Sequence, residues 1–312
     1  MGNSPSAPED KETEGPSDDR TDFIQWLFPA EAKSEMLDDG AFEPDRRRHR
    51  PSGLRLLCLH GYGSNNDITH MQITHLQLRE LHGVSCDFLH AEEEVMAQDS
   101  VFYDFSEKPF HSWFNYSWLK TGKNGVGAPG GSLYKSLQRI MSVYAKHGPY
   151  DGIYGFSQGG FMAAALCNPT VYNGLFGYEQ CPFRFAMLAC AALSDTLTQV
   201  EIAQRPAAAT DEPVDAKTAL KAVAPLQLPV ASSTCASLHI IGQRDWVKSS
   251  SLAHVKQFED STSYTHAYGH EMPMKLYEDE KLIAIIRGFL GRFMLHAPPP
   301  TPVMSYSEPL WG

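Results

Sequence analysis

No apolar run in this chain approaches the length needed to cross a bilayer, and the N-terminal stretch carries no secretory signal. Cysteine is sparse. The six present, at 58, 86, 167, 181, 190 and 235, show no paired or metal-type spacing. That excludes a disulfide-framework domain and suits small buried thiols in a reducing cytosol. No HExxH or comparable ligand run occurs, so neither a metal nor another cofactor is expected. Basic residues are in the minority, 26 against 37 acidic ones, for a net charge of −11. The deficit is uneven: residues 1–45 hold 13 acids and 3 bases, Arg46, Arg47, Arg48 and Arg50 return +4, and the remainder carries −5. A mildly acidic domain offers no phosphate-binding face, which argues against nucleic acid as a partner.

What is present divides the chain into three parts. Residues 1–50 read as a disordered acidic arm ending in a basic linker, because their first 22 residues have almost no large apolar groups to offset ordering entropy. Within the arm, Phe23–Phe28 is a short apolar cluster that packing explains most simply. Residues 51–296 read as one domain and 297–312 as a proline-rich extended tail. Met1-Gly2-Asn3-Ser4-Pro5-Ser6 fits the pattern for acylation at Gly2. Coincidence is the preferred reading, since no nearby cysteine or basic cluster supplies a second anchor and the following residues are acidic. A cytoplasmic location without stable membrane insertion is expected, with the nucleus left open and no signal for oligomeric state.

The segment richest in information is Gly155-Phe156-Ser157-Gln158-Gly159-Gly160, a G-x-S-x-G match. Tyr150–Tyr154 before it reads as a buried strand, and Phe161–Leu166 after it as a helix. Strand, sharp turn and helix are the setting this motif requires, with glycines leaving room for the crowded turn. Ser157 is then held at the end of a sheet, facing the N–H groups of the following helix.

A serine needs a base and an orienting acid to become a nucleophile, and with this turn the chain order is Ser, Asp or Glu, His. Ala236–Gly242 reads as a strand, and Asp245 lies three residues beyond it, where α/β sheets build their sites. Asp195 is the main rival and Asp260 a weaker one. Ser261–Tyr268 is rich in β-formers and leads to His270, flanked by Gly269 and by Pro273, a helix-starting residue. The rivals His254, His239, His266 and His296 fall on a helix, within strands and near the tail. Upstream, the apolar run Leu54–Leu59 enters His60-Gly61-Tyr62-Gly63, a turn that offers a backbone N–H for an oxyanion hole. The backbone N–H groups of Tyr62 and Gln158 are the candidate donors, and His60 is read as bracing the loop.

These motifs, with Trp113-Phe114-Asn115 and the lead-in Gly148-Pro149-Tyr150-Asp151-Gly152, resemble the FSH family of serine hydrolases over roughly residues 52–292. That family includes fungal polyketide thioesterases and esterases and the ovarian-tumour-suppressor-candidate type. The resemblance implies an α/β-hydrolase fold, a mostly parallel central sheet with helices on both faces. It also implies a Ser157, Asp245, His270 triad and hydrolysis of a carboxylic ester or thioester without a cofactor. The chain departs from the family pattern after Asp245, where it reads Trp246-Val247-Lys248-Ser249, and before His270.

The substrate is expected to be a small-molecule ester or thioester. Residues 100–131 are rich in aromatics and, with Phe161, suggest a pocket lined by Trp113, Phe114 and Phe161; simple core filling is the competing reading. Residues 197–233 read as a helical lid. Two other functions stay open at this point: a non-catalytic small-molecule binding protein on the same fold, and an acyltransferase.

Overall fold

The computed structural model describes residues 42–44, 53–79, 82–114, 132–192, 233–273, 275 and 278–294. In chain order these form β1 (Phe42–Glu43), β2 (Arg55–Leu59), α1 (Asn66–His75), β3 (Ser85–Leu89), β4 (Glu93–Val95) and β5 (Phe110–Ser112). There follow α2 (Ser132–His147), β6 (Gly152–Phe156), α3 (Gln158–Leu166), α4 (Pro169–Tyr172) and β7 (Phe185–Ala189). The order closes with β8 (Ala236–Gly242), α5 (Lys248–Val255), β9 (Ser261–His266) and α6 (Glu280–Met294).

Seven strands make one sheet in the order β1-β3-β2-β6-β7-β8-β9, with β4 and β5 as a separate pair. Only β1 runs antiparallel to its neighbour in the large sheet. Every residue of β6, β7 and β8 is buried, which explains why these strands read as continuous rather than alternating apolar runs: helices cover both faces. On α2, Leu133, Leu137, Ile140, Met141 and Tyr144 recur at helical spacing and are all buried, while Lys135 and Lys146 face solvent. Burial of each large side chain of this kind contributes roughly 1.5–3 kcal/mol.

The distinctive lead-in to β6 has a structural purpose. Tyr150 donates its hydroxyl to Asp87 (2.8 Å), and Arg55 reaches the same carboxylate at 3.0 Å. Asp151 accepts from the Arg55 backbone N–H (2.9 Å) and pairs with Arg184 at 2.7 Å. Those contacts tie β6 to β2, β3 and β7 at the strand starts. The chain crosses from β3 back over β2 to β6, so the sheet reverses its winding between β2 and β6. In open parallel sheets, sites form beyond the strand C-termini at such a reversal.

Several boundaries differ from expectation. Phe42 and Glu43, assigned to the disordered arm, form the edge strand: Phe42 stacks on His147 at 4.2 Å and Glu43 pairs with Lys108 at 3.0 Å. The strand before Ser157 runs from Gly152 to Phe156, two residues later than predicted, because the elbow glycine continues the extended backbone. Beyond Pro273 the described residues 275 and 278 lie in a 3-10 turn, and the α-helix α6 begins at Glu280. The remainder of the arm, Gly2, residues 115–131 of the aromatic-rich segment, Asp195, His296, most of the 197–233 segment and the tail lie outside the described residues. Among the described residues, no helix is long and apolar enough to cross a membrane.

Two buried histidines give the fold an acid weakness. Burial lowers the His239 pKa from 6.5 to about 3, with His254 adding to the effect. Burial likewise brings His60 to about 3; the Gly61 carbonyl opposes this, and His111 and His90 reinforce it. Folded, both rings stay neutral well below the pH at which an unfolded histidine takes a proton. Their contribution is therefore complete above about pH 6.5 and is lost as pH falls towards 3, by an amount on the order of a few kcal/mol. Urea midpoints are expected to fall between pH 7.5 and 4.5, and less steeply in His239→Gln; an unchanged slope in that variant would assign the loss to other groups.

Candidate active site

The turn between β6 and α3 places Ser157 at φ 53°, ψ −113°, a conformation an L-residue adopts only when its surroundings enforce it. Here they do. Ser157 donates its N–H to Ala189 O (2.9 Å), and its carbonyl accepts from Ala192 N (3.1 Å) and Phe161 N (3.1 Å). A Cβ on Gly155 would lie 2.1 Å from Gly159 O, and one on Gly159 would lie 2.4 Å from His60 O. Both positions therefore require glycine, which is the physical content of the motif.

His270 Nε2 lies 2.8 Å from Ser157 Oγ, and His270 Nδ1 lies 3.0 Å from each oxygen of Asp245. The three residues most favoured by chain order thus meet as a hydrogen-bonded relay. Asp245 is buried and its Oδ1 also accepts from Val247 N (2.8 Å), which fixes the carboxylate. Backbone bonds from Gln243 N to His266 O (2.8 Å) and Arg244 N to Tyr268 O (2.9 Å) join the acid-bearing loop to the histidine-bearing one. Relay geometry therefore rests on backbone and not on the side chains alone. Two rings pack near the imidazole, Phe156 at 5.2 Å and Trp246 at 4.9 Å.

The rival residues fall elsewhere. His239 lies inside β8 against Ser237 (2.9 Å), and His254 on α5 contacts Gln257 (2.9 Å) and Ala192 O (3.1 Å). His266 ends β9, and exposed Asp260 pairs with Arg292.

The turn after β2 approaches the serine closely: a Cβ on Gly61 would lie 3.3 Å from Ser157 Cβ. His60 accepts from Ala91 N through Nε2 (2.9 Å), so Nδ1 carries the proton and donates to Gly61 O (2.6 Å). Neutral and fully buried, His60 braces this loop. Trp113 stacks on it at 5.1 Å and donates Nε1–H to His60 O at 2.9 Å.

Trp113, Phe114 and Phe161 were expected to line a pocket, but each is 1 % exposed. Phe114 packs edge-on to Phe161 at 5.5 Å. Gln158, whose backbone N–H was the candidate donor, also braces the site through its side chain. Its Oε1 accepts from Trp113 N (2.9 Å) and its Nε2 donates to Phe114 O (2.8 Å). These aromatics support the elbow and the His60 loop from behind instead of offering surface to a ligand. The described aromatics left exposed are Tyr103, Phe105, Trp246 and Tyr268, with Trp246 the most open at 73 %.

Two contributors escaped the sequence reading. Trp246 was visible only as a departure from a family pattern. Cys190, which follows β7 at φ 46°, gave no signal. Its thiol lies beside Asp245; burial and then that carboxylate's charge push it well above its usual range, so it stays protonated.

A parallel sheet, a serine on a strained turn between strand and helix, and a serine–histidine–aspartate relay at the strand C-termini define an α/β-hydrolase-fold serine hydrolase. The model of the serine hydrolase (FSH1) family matches residues 51–282, and the chain belongs to that family. "Esterase FPY3" of Fusarium mangiferae is 25 % identical over 70 % of this chain and 88 % of its own length. "Esterase CG5412" of Drosophila melanogaster is 24 % identical over 78 % of this chain and 77 % of its own. "Hydrolase FUB4" of Fusarium oxysporum is 29 % identical, but the match spans 45 % of this chain and about half, 48 %, of that protein. Among solved structures, Est1E from Butyrivibrio proteoclasticus aligns over 81 % of this chain and 91 % of its own, at 15 % identity and a TM-score of 0.42.

Proposed function

We propose that this hydrolase cleaves carboxylic esters or thioesters through an acyl-enzyme on Ser157. The carrying observation is the continuous relay from Ser157 Oγ through His270 to Asp245. His270 removes the serine proton as Oγ attacks the carbonyl carbon, and Asp245 holds the Nδ1–H tautomer and stabilises the imidazolium. Negative charge on the carbonyl oxygen develops beside the backbone N–H groups of Tyr62 and Gln158, at the positive end of α3. His270 returns the proton to the departing alcohol or thiol. Water, deprotonated by the same imidazole, then releases the acid and regenerates Ser157.

The leaving group must come within hydrogen-bonding reach of His270 Nε2. Trp246 is an exposed aromatic 4.9 Å from that ring. No role in contacting the acyl group is assigned to Trp113, Phe114 or Phe161, since their surfaces are already occupied. Initial rates with p-nitrophenyl esters of graded acyl length, measured beside acyl-CoA thioesters, test the reading. Turnover of at least one series is expected, with a maximum that defines acyl preference. Binding of these compounds with no turnover of either series would favour a non-catalytic binding protein.

A further inference from the structure

Cys167, Cys181 and Cys235 are far apart in the chain but meet in the fold. Cys167 caps the C-terminus of α3, Cys181 lies in the segment leading into β7, and Cys235 directly precedes β8. Their sulfurs all lie within 4.8 Å of one another. Cys167 and Cys235 are buried and Cys181 is half-buried. The cluster is distinct from the hydrolytic site. It gathers at the N-terminal ends of β7 and β8, whereas Ser157, Asp245 and His270 follow strand C-termini. The nine residues of α3 separate Ser157 from Cys167, a rise of about 13 Å.

A lone buried cysteine is ordinary packing. Three sulfurs facing one another are different, because they present a ready set of soft ligands. Thiolates bind zinc at about 2.3 Å, which sets three of them roughly 4 Å apart around one ion. That is inside the observed limit, so small side-chain rotations suffice. The C-terminus of α3 adds a second favourable element, since the negative end of a helix attracts a cation.

We propose that Cys167, Cys181 and Cys235 form a binding site for a thiophilic d10 metal ion of the Zn²⁺, Cd²⁺ or Cu⁺ type. Sulfur ligands exclude Mg²⁺ and Ca²⁺, which require oxygen. Binding displaces the thiol protons to solvent and changes no oxidation state. The bound ion pins the end of the nucleophile-bearing helix to the starts of β7 and β8. The expectation of no metal rests on the absence of a ligand run along the chain; the proposal departs from it because the fold brings together cysteines that the chain separates.

The test uses the full chain, reduced with a phosphine, stripped with a chelator and titrated with Cd²⁺. One equivalent is expected to bind, with an ultraviolet thiolate-to-cadmium band and a raised melting midpoint. Cys181→Ser, at the half-buried position, should weaken binding by more than the roughly 10–100-fold that loss of an outer-shell partner costs. Cys235→Ala should do the same. His270→Ala and Cys58→Ser should bind as the wild type does, and Cys181→Ser should hydrolyse esters at the wild-type rate without metal. The proposal is overturned if the reduced wild type shows no band. It is also overturned if binding survives Cys181→Ser but is lost in His270→Ala, which would move the ion to Cys190, Asp245 and His270, another group of potential ligands.

Discussion

Replacing Ser157 with alanine is expected to lower kcat by at least about 10⁴-fold, and by as much as about 10⁶ if the relay acts as a unit. The reason is chemical, since among the described residues Ser157 supplies the hydroxyl that lies 2.8 Å from His270 Nε2. Affinity for a substrate analogue should change little, because the proposed oxyanion donors are backbone groups that the substitution leaves in place. The fold should also survive: the positive φ at position 157 is enforced by three backbone hydrogen bonds that alanine retains. Steady-state kinetics with the best p-nitrophenyl ester, together with a thermal melt, check both halves. Retained turnover with a retained fold would remove Ser157 from the chemistry.

Asp245→Asn should be nearly as costly, at about 10⁴-fold in kcat. Asparagine preserves the shape but presents an N–H where His270 Nδ1 must donate, so the imidazole is turned to the wrong tautomer. The Val247 N–H, which Asp245 accepts at 2.8 Å, holds the replacement amide in place and blocks easy rearrangement. Asp260→Asn and Asp195→Asn should keep wild-type rates. For Asp260 the reason is visible, because it sits at the surface paired with Arg292. A loss in Asp195→Asn with full activity in Asp245→Asn would show that the acid has been misassigned.

Much of this site was legible before any coordinates. The G-x-S-x-G pattern is legible as a motif: Gly155 is required by Gly159 O within the turn, and Gly159 by the carbonyls of Leu59 and His60 at the end of β2. Asp245 and His270 were found because each follows a strand closed by or leading to glycine, and strand ends are where a parallel sheet places its chemistry. What failed depended on long-range packing. Composition marks Trp113 and Phe114 as aromatic but does not say which way they face. Their burial follows from bonds to His60 and Gln158, about 50 residues away in opposite directions. A two-residue edge strand at Phe42 and Glu43 has no periodicity to detect. The convergence of Cys167, Cys181 and Cys235 likewise required the sheet to be assembled first.

The direct measurement is fluorophosphonate labelling of the full chain, read by intact mass and peptide mapping. A relay that activates Ser157 should give one adduct, on the peptide carrying Ser157, absent from Ser157→Ala and formed much more slowly in His270→Ala. No adduct on the folded wild type, or an adduct that maps to another residue and persists in Ser157→Ala, would contradict the assignment of Ser157 as the nucleophile.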